Sequence, residues 1–371
     1  MFYWEFFIVP QRSKRLDVSG CLLGWGVCVV SDFFERRMTM KGSKIFVLAV
    51  TCLTLLAFSA MLPSPSMAKK PGAGMYFRLV THGGDDPFWA VVQKGMLDAV
   101  KELGCKADID LVGGDVALMA KRFQEAVAMK PDGIALVIND DKAYDKLVSD
   151  ALGKGINVIG MNNDDSQGAA GNARLCYIGQ SERRAGYVIA RRLFVTAKNQ
   201  GWDLAGAHVA AAVEVPGANY GVVRSQGIQD AMKEFGITTK MDIIDAGGLE
   251  MTTVESRMTS YLIAHPETKF LFGLGGICTD RLTSSLKNAG KGPGQIIAGG
   301  FDTAPGTLEG LKSGHVEATI DQQQYLQGYY AVYTLYLMKK YGFAPNIDTG
   351  GYLVDKTNIA LIEKFSPMMI R

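Results

Sequence analysis

The chain has no surplus of one charge: 39 Lys and Arg stand against 37 Asp and Glu among 371 residues. Past residue 68 the balance is 32 against 33, a net charge near −1. That excludes a broad polyanion-binding surface, so neither nucleic acid nor an acidic membrane is an expected partner. Cysteine is sparse too. Of six in all, only Cys105, Cys176 and Cys278 lie past residue 68, an odd number, far apart, with no disulfide framework and no metal-ligand spacing. They read as small buried hydrophobes. The four histidines, His82, His208, His265 and His315, show no paired spacing either, so no metal site is expected. No Gly-x-Gly-x-x-Gly turn or Walker loop is present to cradle a phosphate. Nor does spacing recommend a Ser-His-Asp or Cys-His set, so neither a catalytic residue nor a cofactor is expected.

What is present begins with an amino-terminal bias. "MKGSKIFVLAVTCLTLLAFSAMLPSPSMAKK" has a basic start, an apolar run from Ile45 to Met61, and then Ser66-Met67-Ala68. This is the layout of a secretory signal over about residues 40–68, with small residues at the minus-three and minus-one positions for cleavage after Ala68. An extracytoplasmic, periplasmic location follows. A membrane anchor is the alternative, since the run is only marginally long enough to span a bilayer. A lipid attached at Cys52 fits less well, because Ala-Val-Thr precedes it. Residues 1–37 would precede the basic start of such a signal and read as an over-extended start, with translation from Met38 or Met40.

From Met75 short apolar runs, "YFRLVTH", "ADIDLVGG", "GIALVI" and "NVIGMN", alternate with helical-period stretches such as Phe88, Val92, Gly95, Met96, Ala99 and Leu103. The separations are those of βαβ crossovers in a parallel sheet. The pattern then restarts with "AGAHVAAAV", "MDIIDAG", "KFLFGLG", "QIIAGG" and "EATID", with helices around 218–235, 250–264, 278–289 and 304–312. A helix from Gln324 to Tyr341 and a short strand in "GGYLVDK" follow. The fold class is therefore α/β, with two doubly wound parallel-sheet lobes. No Pro- or Ser-rich linker divides them, which argues for several short chain crossings acting as a hinge. The boundaries are 75–179 with 323–351 for the amino-terminal lobe and 180–322 with 352–371 for the carboxy-terminal lobe.

In an open parallel sheet the ligand crevice lies beyond the carboxyl ends of the strands. The exits here are "THGGDDPFW", "MNNDD", "GGLEM", "LGGIC", "GGFDTAP" and "TIDQQQ". They concentrate carboxylates, carboxamides, glycines and aromatics, with few lysines. Such a mixture suits a neutral polyhydroxylated molecule: planar polar side chains satisfy the hydroxyl edge and aromatic rings cover the C–H faces. Phe88, Trp89 and Phe301 are candidate ring covers, each with core packing as the alternative. Asp86, Asn162, Asn163, Arg224, Asp302 and Gln322 are candidate edge partners. Asp302 could instead cap the helix that starts at Pro305.

Taken in order, "DPFWAVVQKGM", "DGIALVINDD", "INVIGMNND", "YIGQSERRAG", "RSQGIQDAM", "AHPETKFLFGLGG", "IIAGGFDTAP" and "ATIDQQQYLQGYYA" resemble the periplasmic sugar-binding proteins of the ribose, galactose and allose type. The resemblance spans nearly all of residues 75–356 and implies the type 1 periplasmic binding fold. It places Asp86, Phe88 and Trp89 in the role of the family's Asn-Pro-Phe-Phe turn, with His82 where a strand-end serine stands. Arg224, Phe301 with Asp302, and Gln322 fall on the family's arginine, Gly-Phe-Asp and glutamine positions. Asn162-Asn163 replaces an Asp-Arg pair, and Leu249 and Gly275 fall where the family has an aromatic and an asparagine. These departures leave the identity of the sugar or polyol open. The resemblance further implies a monomeric, non-enzymatic receptor that closes on its ligand and delivers it to a membrane ABC permease. A sensor of the chemotaxis or autoinducer type would use the same closure. A DNA-binding repressor of this fold is excluded, as no helix-turn-helix precedes residue 75.

Overall fold

The computed structural model describes residues 69–371 except Asp85, Asp86 and Gly114. The expected signal segment, Cys52 and Asp86 lie outside the described residues. Alternating apolar runs and helices build two six-stranded sheets. The first contains β1 (Tyr76–Thr81), β2 (Lys106–Leu111), β3 (Gly133–Leu136), β4 (Asn157–Asn162), β5 (Tyr177–Gly179) and β11 (Ile347–Asp348). Its order is β11-β5-β4-β3-β1-β2 and every pairing is parallel. The second contains β6 (His208–Val213), β7 (Asp242–Asp245), β8 (Thr268–Gly273), β9 (Ile297–Phe301), β10 (Ala318–Asp321) and β12 (Tyr352–Val354). Its order is β12-β10-β9-β8-β6-β7, with only the β10–β12 edge antiparallel. The fold is thus α/β with two lobes, and the chain passes between the sheets after β5, after β10 and after β11.

Helices cover the sheets because their apolar residues recur at the helical period. Along α1 (Pro87–Leu103), Trp89, Val92, Gly95, Met96, Ala99 and Leu103 are buried. Trp89 takes the core position expected of Phe88, which is only half-buried against the same core. The remaining helices are α2 (Val116–Ala128), α3 (Asp145–Gly153), α4 (Glu182–Asn199), α5 (Asn219–Glu234), α6 (Met251–Ala264), α7 (Gly276–Asp280), α8 (Leu282–Asn288), α9 (Pro305–Ser313), α10 (Gln324–Tyr341) and α11 (Ile359–Phe365). The single helix expected over 278–289 is two short ones, α7 and α8. The Thr279 hydroxyl there turns back onto the Gly275 carbonyl at 2.7 Å and accepts the Phe301 N–H at 2.9 Å. Such local hydroxyl bonding competes with regular helix.

Each lobe has one intimate helix pair, α1 with α10 and α4 with α5. A Cβ on Gly95 would sit 2.0 Å from the Tyr325 carbonyl oxygen, and one on Gly328 would sit 1.9 Å from that of Val92. In the other lobe a Cβ on Gly186 would meet the Arg224 carbonyl oxygen at 2.2 Å, and one on Gly227 that of Arg183 at 2.0 Å. Only glycine lets two helix backbones approach this closely. The second pair matters for chemistry, since it brings Arg224 of α5 against Glu182, the first residue of α4.

Candidate binding site

The amino-terminal wall starts at the exit of β1. The Thr81 hydroxyl donates to the Asp110 carbonyl at 2.7 Å and accepts the Gly83 N–H at 3.3 Å, which shapes the turn. Trp89 lies across that turn, with its ring 2.4 Å from where a Cβ on Gly83 would stand. The indole is only 4 % exposed. His82 and Phe88 meet it edge to face, at centroid separations of 5.5 and 5.4 Å. Burial pushes the His82 pKa down to about 4, so its ring is neutral near pH 7. At the exit of β4, Asn162 adopts φ +63°, a conformation that asparagine tolerates better than most residues. Its side-chain amide donates to Gln327 Oε1 at 3.0 Å. Asn163 is buried beside it, its carbonyl accepting the Ile138 N–H at 3.1 Å.

The carboxy-terminal wall is organised around Arg224, which is buried. Its guanidinium forks onto Glu182, with Nε 2.5 Å from Oε2 and Nη2 3.1 Å from Oε1. Nη1 donates to the Leu274 carbonyl at 2.6 Å. The charge stands 4.0 Å above the Phe301 ring and 5.1 Å from that of Tyr220. Phe301 therefore departs from the expected ring cover: it is 0 % exposed, part of the lobe core, and its face carries the arginine. Cation and π-face attract more strongly once desolvated, which favours that placement.

Asp302 follows at the end of β9 with φ +70°. It caps no helix, because Ala304 holds the N-cap position of α9. Its carboxylate accepts from Gln322 Nε2 at 2.8 Å. Burial pushes its pKa up to about 7, against the opposing pull of Arg224 and Gln322, and nearby Asp321 and Glu214 add to the rise. Gln322 is buried. Gly275 is buried against Glu214, whose carboxylate would be 2.3 Å from an added Cβ. Leu249 is set apart in the loop before α6 and is 67 % exposed.

Hydrogen bonds join the two walls. Asn162 donates to Gln327, Gln327 Nε2 reaches the Gln322 carbonyl at 3.3 Å, and Gln322 reaches Asp302, so the exit of β4 connects to that of β9. A second link runs from Asn219, the first residue of α5, to Asp141 Oδ1 at 3.1 Å and the Asp164 carbonyl at 2.9 Å. Four members of this set escaped sequence reasoning: Glu182, Glu214, Asn219 and Gln327. Glu182 and Gln327 lie within the runs "YIGQSERRAG" and "ATIDQQQYLQGYYA". Only tertiary pairing distinguishes them from ordinary helix-surface residues. Glu214 is the clearest omission, a carboxylate ending an apolar strand. It is 3 % exposed, and it accepts the Cys278 N–H at 2.9 Å and the Tyr220 hydroxyl at 3.0 Å.

Among the described residues no helix is long and apolar enough to cross a membrane. The xylose/arabinose-binding protein XylF of Sulfolobus acidocaldarius is 30% identical over 294 residues, 76% of this chain and 71% of that protein. The D-ribose/D-allose-binding protein of Pseudomonas aeruginosa is 23% identical over 295 residues, 77% of this chain and 88% of that protein. Among solved structures, a carbohydrate transporter from Acidothermus cellulolyticus 11B in complex with myo-inositol superposes with a TM-score of 0.69 at 25% identity. It covers 80% of this chain and 99% of that one. A carbohydrate transporter solute binding protein from Agrobacterium radiobacter in complex with D-arabinose gives a TM-score of 0.69 at 25% identity, covering 82% and 100%. These relatives are binding proteins, and residues 77–342 match the family described as the periplasmic binding protein domain. With two mostly parallel sheets whose strand exits are joined by side-chain hydrogen bonds, this chain belongs to the periplasmic binding protein family.

Proposed function

We propose that the chain captures a neutral sugar or sugar-like polyol between its two lobes, outside the cytoplasm, and delivers it to a membrane ABC permease. It acts as a monomer, without catalysis. The lobes divide at residues 75–179 with 323–351 and 180–322 with 352–371. The observation that carries this reading is the convergence of strand exits: the amides of Asn162 and Gln327 on one wall are hydrogen-bonded through Gln322 to Asp302 on the other. Neutral His82 and Phe88, both packed edge to face on the buried Trp89 indole, supply planar surfaces on the first wall. Arg224, Asp302 and Gln322 supply directional donors and acceptors on the second. A sugar needs both kinds of surface at once. The sugar and inositol ligands of the similar solved proteins support the same class.

A ligand that touches both walls is bound more tightly by the closed arrangement than by an open one, and that differential affinity drives closure. Closure then presents a composite surface from both lobes to a permease. The test combines a thermal-shift panel of pentoses, hexoses, polyols and nucleosides with small-angle scattering. A ligand at 100 times its Kd stabilises the chain by about 2.7 kcal/mol. At least one sugar or polyol should raise the melting temperature and shrink the radius of gyration, and Asp302→Ala should abolish the shrinkage. A response to nucleosides alone, or undiminished closure in Asp302→Ala, would sink this reading.

A further inference from the structure

The histidines show no metal-binding spacing along the chain, yet folding brings two of them together. His208 opens β6, Asp242 opens the neighbouring β7, and His265 is the C-cap residue that follows α6. One ligand atom from each lies within 4.8 Å of the others. His208 Nε2 is 3.2 Å from Asp242 Oδ2. Glu267 adds a second carboxylate, its Oε1 3.1 Å from His265 Nδ1 and 3.9 Å from His208 Nε2. Metal bonds of about 2.0–2.2 Å around a tetrahedral centre place donor atoms roughly 3.3–3.6 Å apart. The observed separations bracket that spacing. We propose that His208, Asp242 and His265, with Glu267 beside them, form a binding site for a first-row divalent transition metal of the Zn2+ or Co2+ kind.

The surroundings have the features of a supported metal site. Nδ1 of His208 lies 3.3 Å from the Thr268 hydroxyl, which orients the ring and leaves Nε2 toward Asp242. Asp242 Oδ2 accepts the Tyr261 hydroxyl at 2.7 Å, which fixes the carboxylate beside the imidazole of His208. Tyr261 also stacks on the His265 ring at 4.3 Å. The β6–β8 pairing breaks register between His208 and Val209. A bulge of this kind re-aims the side chain beside it. Two imidazoles with one or two carboxylates suit zinc-like ions and are poor for Mg2+ or Ca2+, which prefer all-oxygen shells. The ligands are part-exposed, His208 by 20% and His265 by 40%, so an ion can enter without unfolding.

The site lies at the amino-terminal ends of β6 and β7, opposite the cleft. Glu214, at the cleft end of β6, is six residues further along, about 20 Å in an extended strand. A bound ion would tie together β6, β7, the end of α6 and the turn into β8, staples for the carboxy-terminal lobe rather than contacts for the sugar. The test uses the full chain without a histidine tag, stripped by chelator and titrated with Zn2+ against a chromophoric competitor. One equivalent should bind with a Kd at or below the micromolar range, and the melting temperature should rise and fall back on chelation. His208→Ala and His265→Ala should each weaken binding at least about tenfold. Mg2+ should not compete. An unchanged scattering profile and sugar response in both variants would show that they remain folded; Co2+ absorption of the unsubstituted chain gives a second readout, independent of the variants, through tetrahedral d–d bands. Zinc binding weaker than about 100 μM, binding undiminished in both folded histidine variants, or an octahedral Co2+ spectrum would overturn the assignment.

Discussion

The two sets of strand exits, one on each wall, are built from different chemistry. The amino-terminal wall uses rings and amides: a neutral His82, the Phe88–Trp89 pair and the Asn162–Gln327 bond. The carboxy-terminal wall uses ions: Arg224 held by Glu182, with Glu214 and Asp302 close by. His82, Phe88, Trp89, Asn162 and Gln327 carry no charge at neutral pH, so this part of the amino-terminal wall can be reshaped by packing alone; Asp141, which meets Asn219, is the exception. The other is a network in which a buried arginine offsets several carboxylates, so each member depends on the rest.

The sharpest way to break this contrast is Arg224→Ala. Removing one partner of a buried pair strands Glu182 and costs about 3–5 kcal/mol. Thermal or urea unfolding should register that loss, whereas an amide truncation on the opposite wall, Asn162→Gly, should cost less, about 1–3 kcal/mol because the neutral acceptor of Gln327 is left without its donor, while keeping the φ its backbone requires. Equal losses at the two positions would mean the walls do not differ as described.

The walls should also respond to pH with opposite sign. The folded pKa of His82, about 4, lies below its ordinary 6.5, so the folded state resists protonation. Its contribution to stability is present above that ordinary value and is lost as pH falls toward 4. Asp302 has a folded pKa of about 7 against an ordinary 3.8. Its contribution is greatest at low pH and is lost as pH rises through that window. Across the window the change amounts to up to ~3 kcal/mol for His82 and up to ~4 kcal/mol for Asp302, and the two oppose one another. In Asp302→Asn, stability should therefore rise more steeply with pH than in the unsubstituted chain, and in His82→Gln it should fall. Unfolding free energies measured across the window in both variants check the signs; parallel profiles would remove the electrostatic distinction.

A smaller effect compares two glycines. Alanine at Gly83 would meet the rigid Trp89 indole, and alanine at Gly275 the carboxylate end of Glu214. Overpacking costs typically about 1–3 kcal/mol, and less where the obstructing group can swing aside. Gly83→Ala should thus be the costlier change in denaturant unfolding. It should also alter tryptophan fluorescence, which Gly275→Ala should leave near that of the unsubstituted chain. The reverse order would show that the ionic wall is the stiffer one.

Much of this organisation is legible in the amino-acid sequence. The alternation of apolar runs with helical stripes located the strand exits; Asn162, Gln322 and Asp302 lie in one hydrogen-bonded chain, and Arg224 is paired separately with Glu182. Where reading failed, the reason was contact between distant positions. Phe88 and Trp89 are equivalent in composition, and only the seat of α1 over Gly83 decided which ring the core takes. Phe301 was a plausible cover until Arg224, 77 positions earlier in the numbering, was seen to lie on its face.

Sequence by itself determined the alternating elements, their two-fold repetition and the chemical character of the strand exits, because side-chain periodicity is a local property. It also carried a family resemblance across nearly the whole folded region. Tertiary structure decided which side chains meet: Glu182 under Arg224, Gln327 between Asn162 and Gln322, and His208 beside Asp242 and His265. Those meetings depend on strand register and on how closely glycine lets helices approach, and neither quantity is written at any single position in the chain.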